Sequence, residues 1–162
     1  MARDRVPKTP AIRLLDSKQI SYEVRLYSYE DHGGTHHAAE ELGIPEHQVV
    51  KTLVLEADHK SPLIVLMHGD RSVSTKQLAR QIDTKRVVPC DPHSAHKHTG
   101  YVVGGISPFG TRAELPVYVE KTILGLDRIV INGGRRGLLL EIDPRDLPKV
   151  LDVEEVEVGI AD

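Results

Sequence analysis

Residues 49–69 read VVKTLVLEADHKSPLIVLMHG, which is two runs of aliphatic residues around a polar segment. The runs at 49–56 and 62–69 have the length and the β-branched content of strands. The segment at 58–61, Asp-His-Lys-Ser, has the composition of a turn. We therefore predict a β-hairpin in this part of the chain.

One lysine interrupts the apolar face of the first strand. Side chains alternate between the two faces of a strand, so Lys51 shares its face with Val49 and Leu53. Either that end of the strand opens into a cleft, where the ammonium meets an anion or a developing negative charge, or the stem packs and the ammonium extends to solvent. The residues alone leave both interpretations open.

Helices and strands alternate on both sides of the hairpin. Upstream, the pattern predicts a helix starting at Thr9-Pro10, a strand at 22–29 with Tyr22, Val24 and Leu26 buried, and a helix at 35–42 capped by Thr35 and ended by Gly43. Downstream, it predicts a helix capped by Ser74 or Thr75, a strand at 86–89 and a helix from Asp91 that ends before Gly100. Three strands follow at 117–119, 128–132 and 137–142, and the last two are joined around Gly133-Gly134. The last predicted element is a helix from Asp143 through Leu151. This order predicts a mixed α/β fold, a single domain over residues 1–162 whose curved, barrel-like mixed sheet is flanked by short helices.

The composition narrows the class of protein. Lys and Arg number 21 against 24 Asp and Glu, and the net charge of −3 argues against a strongly basic nucleic-acid-binding protein and against DNA as a partner. A single Phe and no Trp leave the core to aliphatic residues and argue against base-stacking platforms. One cysteine excludes an internal disulfide, and no signal peptide or membrane span is predicted, so the expected location is the cytoplasm.

Two glycine-rich segments are candidates for binding a ligand through the backbone. The first is Gly104-Gly105-Ile106-Ser107-Pro108. Either its backbone N–H groups approach a ligand as closely as an oxyanion or carbonyl clamp requires, or the segment is a plain turn. The second is Asn132-Gly133-Gly134-Arg135-Arg136-Gly137. Either it holds a phosphate through its arginines and backbone amides, or it is a hairpin turn with solvated arginines.

Three histidines follow the single cysteine closely, since Cys90, His93, His96 and His98 lie within one short segment. The sequence has no His-Glu-x-x-His pair and no second cysteine, and a short helix does not bring four such ligands together. Alternatively, Cys90 could be a nucleophile activated by His93. A cysteine is, however, usually a small buried hydrophobic residue. We predict no metal site and no cofactor.

Four segments carry a resemblance to a known family: Thr9-Pro10-Ala11, Val49-Val50-Lys51-Thr52-Leu53, the run from Thr99 to Gly110, and Gly133-Gly134-Arg135-Arg136-Gly137-Leu138. Together they resemble the YbaK family of aminoacyl-tRNA deacylases, which are free-standing relatives of the editing domain inserted in bacterial prolyl-tRNA synthetase. The likeness runs from about residue 9 to residue 151, the predicted core.

The resemblance implies a barrel-like mixed sheet and hydrolysis of a mischarged amino acid from the 3′ acceptor end of a tRNA. In the best-known branch, which clears cysteine from proline tRNA, the substrate's own thiol attacks the ester and no protein side chain is the nucleophile. Lys51 would hold or polarise the ester, Gly104 would fix the aminoacyl group through the backbone, and Tyr27 would line the pocket. The other implied substrate-binding residues are Thr52, Gly105, Ile106, Ser107, Pro108, Asn132, Gly133 and Gly134.

Two residues depart from the pattern of the cysteine-clearing members. Asn132 stands where they often carry a serine, and it can still form a hydrogen bond to an adenosine or ribose. Leu139 stands where they often carry an aspartate, and it cannot act as an acid, a base or a charge partner. Cys-tRNA(Pro) is the expected substrate, with Ala-tRNA(Pro) or another small aminoacyl-tRNA as the alternative. The alternative class of function is a non-catalytic module that binds the tRNA terminus or a synthetase. Besides aminoacyl-tRNA, prolyl-tRNA synthetase is an expected partner.

Overall fold

A computed structural model describes residues 6–162 of the chain. The helices are α1 (Pro10–Ser17), α2 (Gly34–Leu42), α3 (Thr75–Gln81), α4 (Pro92–Thr99) and α5 (Leu147–Val150). The strands are β1 (Glu23–Leu26), β2 (Val49–Ala57), β3 (Ser61–His68), β4 (Arg71–Val73), β5 (Val88–Pro89), β6 (Val117–Glu120), β7 (Ile129–Arg135), β8 (Leu138–Ile142), β9 (Val153–Val156) and β10 (Gly159–Ala161). None of the helices among residues 6–162 combines the length and the apolar composition of a membrane span.

The predicted mixed sheet is confirmed. Within the described part of the chain the main sheet has eight strands in the order β1-β8-β7-β2-β3-β6-β9, with β5 paired to β2. Neighbours are antiparallel in the pairs β1–β8, β7–β8 and β2–β3, and parallel in the pairs β2–β7, β3–β6 and β6–β9. The predicted hairpin is β2–β3, which runs in register from Val50 opposite His68 to Ala57 opposite Ser61.

Three predicted helix starts are confirmed by side-chain caps. The side-chain oxygens of Thr9, Ser74 and Asp91 accept hydrogen bonds from N–H groups three residues further on, at the first turns of α1, α3 and α4. The predicted helix ends at Gly43 and Gly100 are also confirmed, with φ angles of 66° and 82°.

The predicted cap of α2 is wrong. This helix begins after Gly33 with no side-chain cap, and the Thr35 hydroxyl instead donates to Glu46 Oε2 at 2.7 Å and lies 3.1 Å from the Gly69 carbonyl oxygen. Thr35 therefore ties α2 to the end of β3. A contact this distant in sequence outweighs the local preference for a capping role.

Helices and loops cover both faces of the sheet. On one face, α1 and the segment after α4 pack Leu15 and Phe109 against Val50, Ile64 and Ile131. On the other face, α3 covers one half through a cluster formed by Leu55, Leu63, Val65, Met67, Leu78, Ala79, Val87, Val156 and Val158. The other half of that face is covered by α2, through Ala38 on Val130 and Leu139.

Several predicted boundaries are wrong. The first strand is only β1, and Leu26 is 58% exposed although we expected it to be buried with Tyr22. The Gly133-Gly134 pair lies within β7, and the turn into β8 is made by Arg136-Gly137. The last helix is preceded by a 3₁₀ turn and shortened to α5.

The C-terminal strands were not predicted. Residues of β9 pair with β6, and β10 pairs with β4. The carboxylate of Glu120, which is buried, accepts hydrogen bonds from the N–H groups of Val158 and Gly159, both at 2.8 Å. This distant partner holds a polar, acidic tail whose own pattern predicts no element.

Candidate functional site

Two neighbouring parallel strands bring Lys51 and Asn132 to the same face of the sheet. In the β2–β7 pair, Val49 lies opposite Val130 and Val50 opposite Ile131. Continued by one residue, this register places Lys51 beside Asn132. Two motifs far apart in the sequence are therefore adjacent in the fold.

The side chain of Asn132 joins the two glycine-rich segments. Its Nδ2 donates to the Gly104 carbonyl oxygen at 3.1 Å, and its Oδ1 accepts from the N–H groups of Gly134 at 2.6 Å and Arg135 at 3.1 Å. One amide side chain therefore fixes the bend at 104–108 beside the bulge of β7. Lys51, Asn132 and Gly104 form the centre of the candidate site.

The paired glycines are required by close contacts. Gly104 has φ +89°, and a Cβ there would lie 2.7 Å from the hydroxyl oxygen of Tyr29. A Cβ on Gly105 would lie 2.8 Å from the backbone nitrogen of Arg136. The Gly105 N–H donates to the Val102 carbonyl at 2.8 Å. Among residues 6–162 the N–H of Gly104 has no hydrogen-bond acceptor, so it is a candidate donor to a ligand.

The rest of the bend has a mainly supporting position. Ser107 and Pro108 are buried, and the Ser107 hydroxyl accepts a hydrogen bond from the Phe109 N–H at 3.2 Å. Ile106 is partly buried against the main core. In this conformation these side chains hold the loop in place, and the exposed part of the bend is Gly104 and the residues before it. Direct contact of Ile106, Ser107 and Pro108 with substrate stays a prediction.

Thr52 lies apart from the other predicted site residues. It follows Lys51 in β2, so its side chain is on the opposite face, that of Val50 and Val54. Its hydroxyl oxygen is buried and has no hydrogen-bond partner within residues 6–162. The structure therefore does not bring Thr52 together with Lys51, and its substrate contact stays a prediction.

Tyr27 and Leu139 lie on the same face as Lys51. Tyr27 packs partly buried against the cluster of Ala38, Val130 and Leu139, and burial raises the pKa of its phenol, which keeps it protonated at neutral pH. Leu139 is opposite Asn132 in the β7–β8 register and is 5% exposed. The surface beside Asn132 on this face of the sheet is thus apolar.

Two residues border the bend: Tyr29, which the sequence analysis missed, and Arg136, which it named only within the second glycine-rich segment. The Arg136 guanidinium carbon lies 4.9 Å from the centre of the Tyr29 ring, and Arg136 Nε donates to the Val103 carbonyl at 2.9 Å. The strand predicted at 22–29 included Tyr29, but this residue lies beyond the end of β1 and against Gly104. No local pattern links it to a glycine so distant in sequence.

Cys90 lies outside this group and is poorly suited to act as a nucleophile. Its Sγ is 3.2 Å from Glu56 Oε1. Burial, reinforced by the Glu56 carboxylate, raises the pKa of the Cys90 thiol to about 12. The reactive thiolate is therefore scarce at neutral pH.

We expect Cys90→Ser to keep most of the deacylation rate, because the thiol is protonated and separate from Lys51. The check is the initial rate of amino-acid release from charged tRNA by the folded variant. A fall of about 100-fold or more would assign the nucleophile to the protein.

Several known proteins are similar to this chain in sequence. The family model described as "Aminoacyl-tRNA editing domain" matches residues 32–150. The chain is 27% identical over 152 residues to "Putative Cys-tRNA(Pro)/Cys-tRNA(Cys) deacylase EbsC" of Enterococcus faecalis, with 93% of both chains covered. It is also 30% identical over 122 residues to the proline–tRNA ligase of Moorella thermoacetica, of which it spans 21%.

Solved structures share the fold. "Hypothetical protein APE2540" superposes with a TM-score of 0.85 at 22% identity, covering 94% of this chain and all of that one. A "putative trans-editing enzyme for prolyl tRNA synthetase" gives a TM-score of 0.80 at 20% identity, with 94% and 99% covered. At these identities the likeness establishes the architecture alone.

Proposed function

Because this chain belongs to the aminoacyl-tRNA editing domain family, we propose that it is a hydrolase that releases a mischarged amino acid from tRNA, with Cys-tRNA(Pro) as its principal substrate. The observation that carries the proposal is the meeting of Lys51, Asn132 and the Gly104 bend at one place on the sheet. The full-length likeness to a protein named as a Cys-tRNA deacylase supports this choice of substrate.

The proposed reaction needs two contributions from the protein. The Lys51 ammonium stabilises the negative charge that develops on the ester carbonyl oxygen. The Gly104 N–H donates to the aminoacyl group and keeps its carbonyl in reach of that ammonium. Lys51 is half-buried and has no ion-pair partner among residues 6–162, so no neighbouring carboxylate neutralises its charge.

The nucleophile in this proposal is the sulfur of the cysteinyl group. Sulfur attacks the ester carbonyl carbon, the bond from that carbon to the ribose oxygen breaks, and the ribose hydroxyl leaves with the thiol proton. The amino acid departs as a four-membered cyclic thioester, which water then opens. The protein contributes geometry and charge, which is consistent with the protonated state of Cys90.

The edge of the bend suits the acceptor end of a tRNA. Arg135 and Arg136 are exposed there, and both can approach a phosphate. Val102 and Val103 are 49% and 48% exposed in the same loop and offer apolar surface to a terminal base or ribose. With a net charge of −3, however, the chain lacks the cation excess that gives tight binding to RNA.

The proposal is tested by incubating the purified protein with tRNA(Pro) charged with Cys, Ala or Ser. We expect release of cysteine well above the spontaneous rate, with little release of serine. Retardation of charged tRNA on a gel without hydrolysis would support the non-catalytic module instead. Ala-tRNA(Pro) is the second candidate substrate, because the buried Leu139 beside Asn132 offers no polar group to a side chain.

We further propose that prolyl-tRNA synthetase presents the charged acceptor end to this chain. At tRNA concentrations below saturation, we expect added synthetase to raise the deacylation rate at least about 10-fold, since tethering raises apparent affinity without new contacts at the site. A synthetase that does not recognise tRNA(Pro) is the matched control. Equal kinetics with and without prolyl-tRNA synthetase would contradict the partnership.

A further inference from the structure

Three potential metal ligands of different types meet away from the candidate site. They are Glu56 in β2, Cys90 just after β5, and His98 in the last turn of α4. Each offers one ligand atom, and these atoms all lie within 4.8 Å of one another. Each of the three residues is half-buried, so water and ions can reach the cluster.

The fold holds the three residues on ordered backbone. Glu56 lies opposite Val88 in the β2–β5 pair, and the Cys90 N–H donates to the Val54 carbonyl at 3.1 Å. Asp91 then caps α4, on which Ala95 is buried in the main core one turn before His98. The ligand positions are therefore set by strand pairing, a helix cap and core packing, which together make a partly preformed site.

The sequence predicts no metal site, because no four ligands come together in the segment from Cys90 to His98, but in the fold Glu56 of β2 joins Cys90 and His98. We propose that Glu56, Cys90 and His98 bind one zinc ion, with the Cys90 thiol releasing its proton to solvent as the metal binds and the fourth position left to water. A carboxylate oxygen, a sulfur and an imidazole nitrogen are all ligands that Zn²⁺ takes, whereas Mg²⁺ and Ca²⁺ prefer oxygen alone. Zinc holds such ligands at about 2.0–2.3 Å, which places them about 3.3–3.8 Å apart. The Cys90 Sγ to Glu56 Oε1 distance of 3.2 Å is already close to that range, and a His98 ring nitrogen lies within 4.8 Å of Cys90 Sγ and of a Glu56 carboxylate oxygen.

The proposed zinc site is separate from the candidate site formed by Lys51, Asn132 and Gly104. Glu56 and Lys51 are five residues apart in β2 and point to opposite faces of the sheet. Five residues of strand span about 16 Å. The ion would join β2 to α4, whose end leads directly into the bend at 104–108. We therefore assign it a structural role, and this inference does not rest on the proposed function.

The first test measures binding of Zn²⁺ and of Co²⁺ to the chelator-treated full chain. Calorimetry is expected to give one equivalent of Zn²⁺, and Zn²⁺ is expected to raise the midpoint of thermal unfolding. Co²⁺ is expected to add a sulfur-to-cobalt charge-transfer band in the near ultraviolet, which reports directly on Cys90. Absence of one-to-one binding, or cobalt binding without that band, would overturn the site.

Single substitutions identify the ligands. Glu56→Gln, Cys90→Ser and His98→Asn are each expected to weaken Zn²⁺ binding by about 100-fold or more. Loss of an outer-shell partner alone costs up to about 100-fold in metal affinity, and these residues contact the metal directly. The matched control is His93→Asn, an exposed histidine on the same helix outside the cluster, which should bind Zn²⁺ as the unaltered protein does. Loss of binding in His93→Asn, or unchanged binding in folded His98→Asn, would overturn the assignment.

Chelation separates this site from the catalytic one. The metal-free protein is expected to deacylate tRNA at the rate of the zinc-loaded protein when both are assayed below their unfolding temperatures. Loss of turnover on chelation, restored by Zn²⁺, would overturn the structural role. Zinc binding is measured without any tRNA, so failure of the deacylation proposal would leave this test intact.

Discussion

Lys51→Ala is expected to lower the deacylation rate about 10²–10³-fold and to leave the fold intact. Loss of a group that stabilises charge developing on the ester oxygen costs about 2–4 kcal/mol of transition-state stabilisation. The fold should survive because Lys51 is only half-buried and lies near one end of β2, next to the well-packed Val49 and Val50. The measurement is the single-turnover rate on Cys-tRNA(Pro), with circular dichroism as the check of folding.

Lys51→Met separates the charge from the packing of the stem. Methionine keeps much of the apolar length of lysine, so this variant should be as slow as Lys51→Ala if the ammonium acts on the ester. Lys149→Ala is the matched control, because Lys149 is exposed and paired with Asp146 at 2.8 Å, outside the site. Full activity in folded Lys51→Met would leave the other interpretation of Lys51, a solvent-facing ammonium on a packed stem.

Blocking the thiol of the substrate is expected to slow deacylation at least about 10³-fold, because a well-oriented internal nucleophile contributes several kcal/mol through proximity alone. Cys-tRNA(Pro) with an alkylated thiol should resist hydrolysis. Ser-tRNA(Pro) should resist it as well, although it occupies nearly the same space, since a hydroxyl is a weaker nucleophile than a thiol. The measurement compares enzyme-dependent rates on tRNA(Pro) charged with each group.

Alkylation also enlarges the side chain, and Ala-tRNA(Pro) removes that ambiguity. Alanine is smaller than cysteine and lacks only the sulfur, so a pocket that accepts cysteine has room for it. If Ala-tRNA(Pro) were cleaved as fast as Cys-tRNA(Pro), the substrate thiol would be irrelevant. Water positioned by the bend at 104–108 would then be the nucleophile, and Leu139 would mark a preference for small apolar side chains.

Five helix ends of this protein could be predicted because their causes are local. The caps at Thr9, Ser74 and Asp91 each connect atoms three residues apart, and the ends at Gly43 and Gly100 depend on one backbone conformation. The hairpin of β2 and β3 has the same local character, since its two apolar runs flank one short turn. Such features are determined by the residues that form them.

Where tertiary contacts compete, the local pattern failed. Thr35 has the right type and position for a cap, yet its hydroxyl bonds to Glu46. Leu26 lies in the alternating pattern on the side of Tyr22 and Val24, which predicts burial, but it is at the exposed end of β1. In the sequence, the acidic residues of β9 and the short length of β10 conceal two strands, which are held by β6, β4 and the buried Glu120.

The amino-acid sequence by itself determined the candidate segments: Lys51 on an apolar strand face, the paired glycines at 104–105, and the Asn132 to Gly137 segment. Only the tertiary structure decided which of them meet. The parallel β2–β7 register places Lys51 beside Asn132, and the Asn132 amide holds Gly104, whereas Thr52 faces away and Glu56 joins Cys90 and His98. The physical reason is that strand pairing between segments distant in sequence is set by burial on both faces of the whole sheet, which no local spacing encodes.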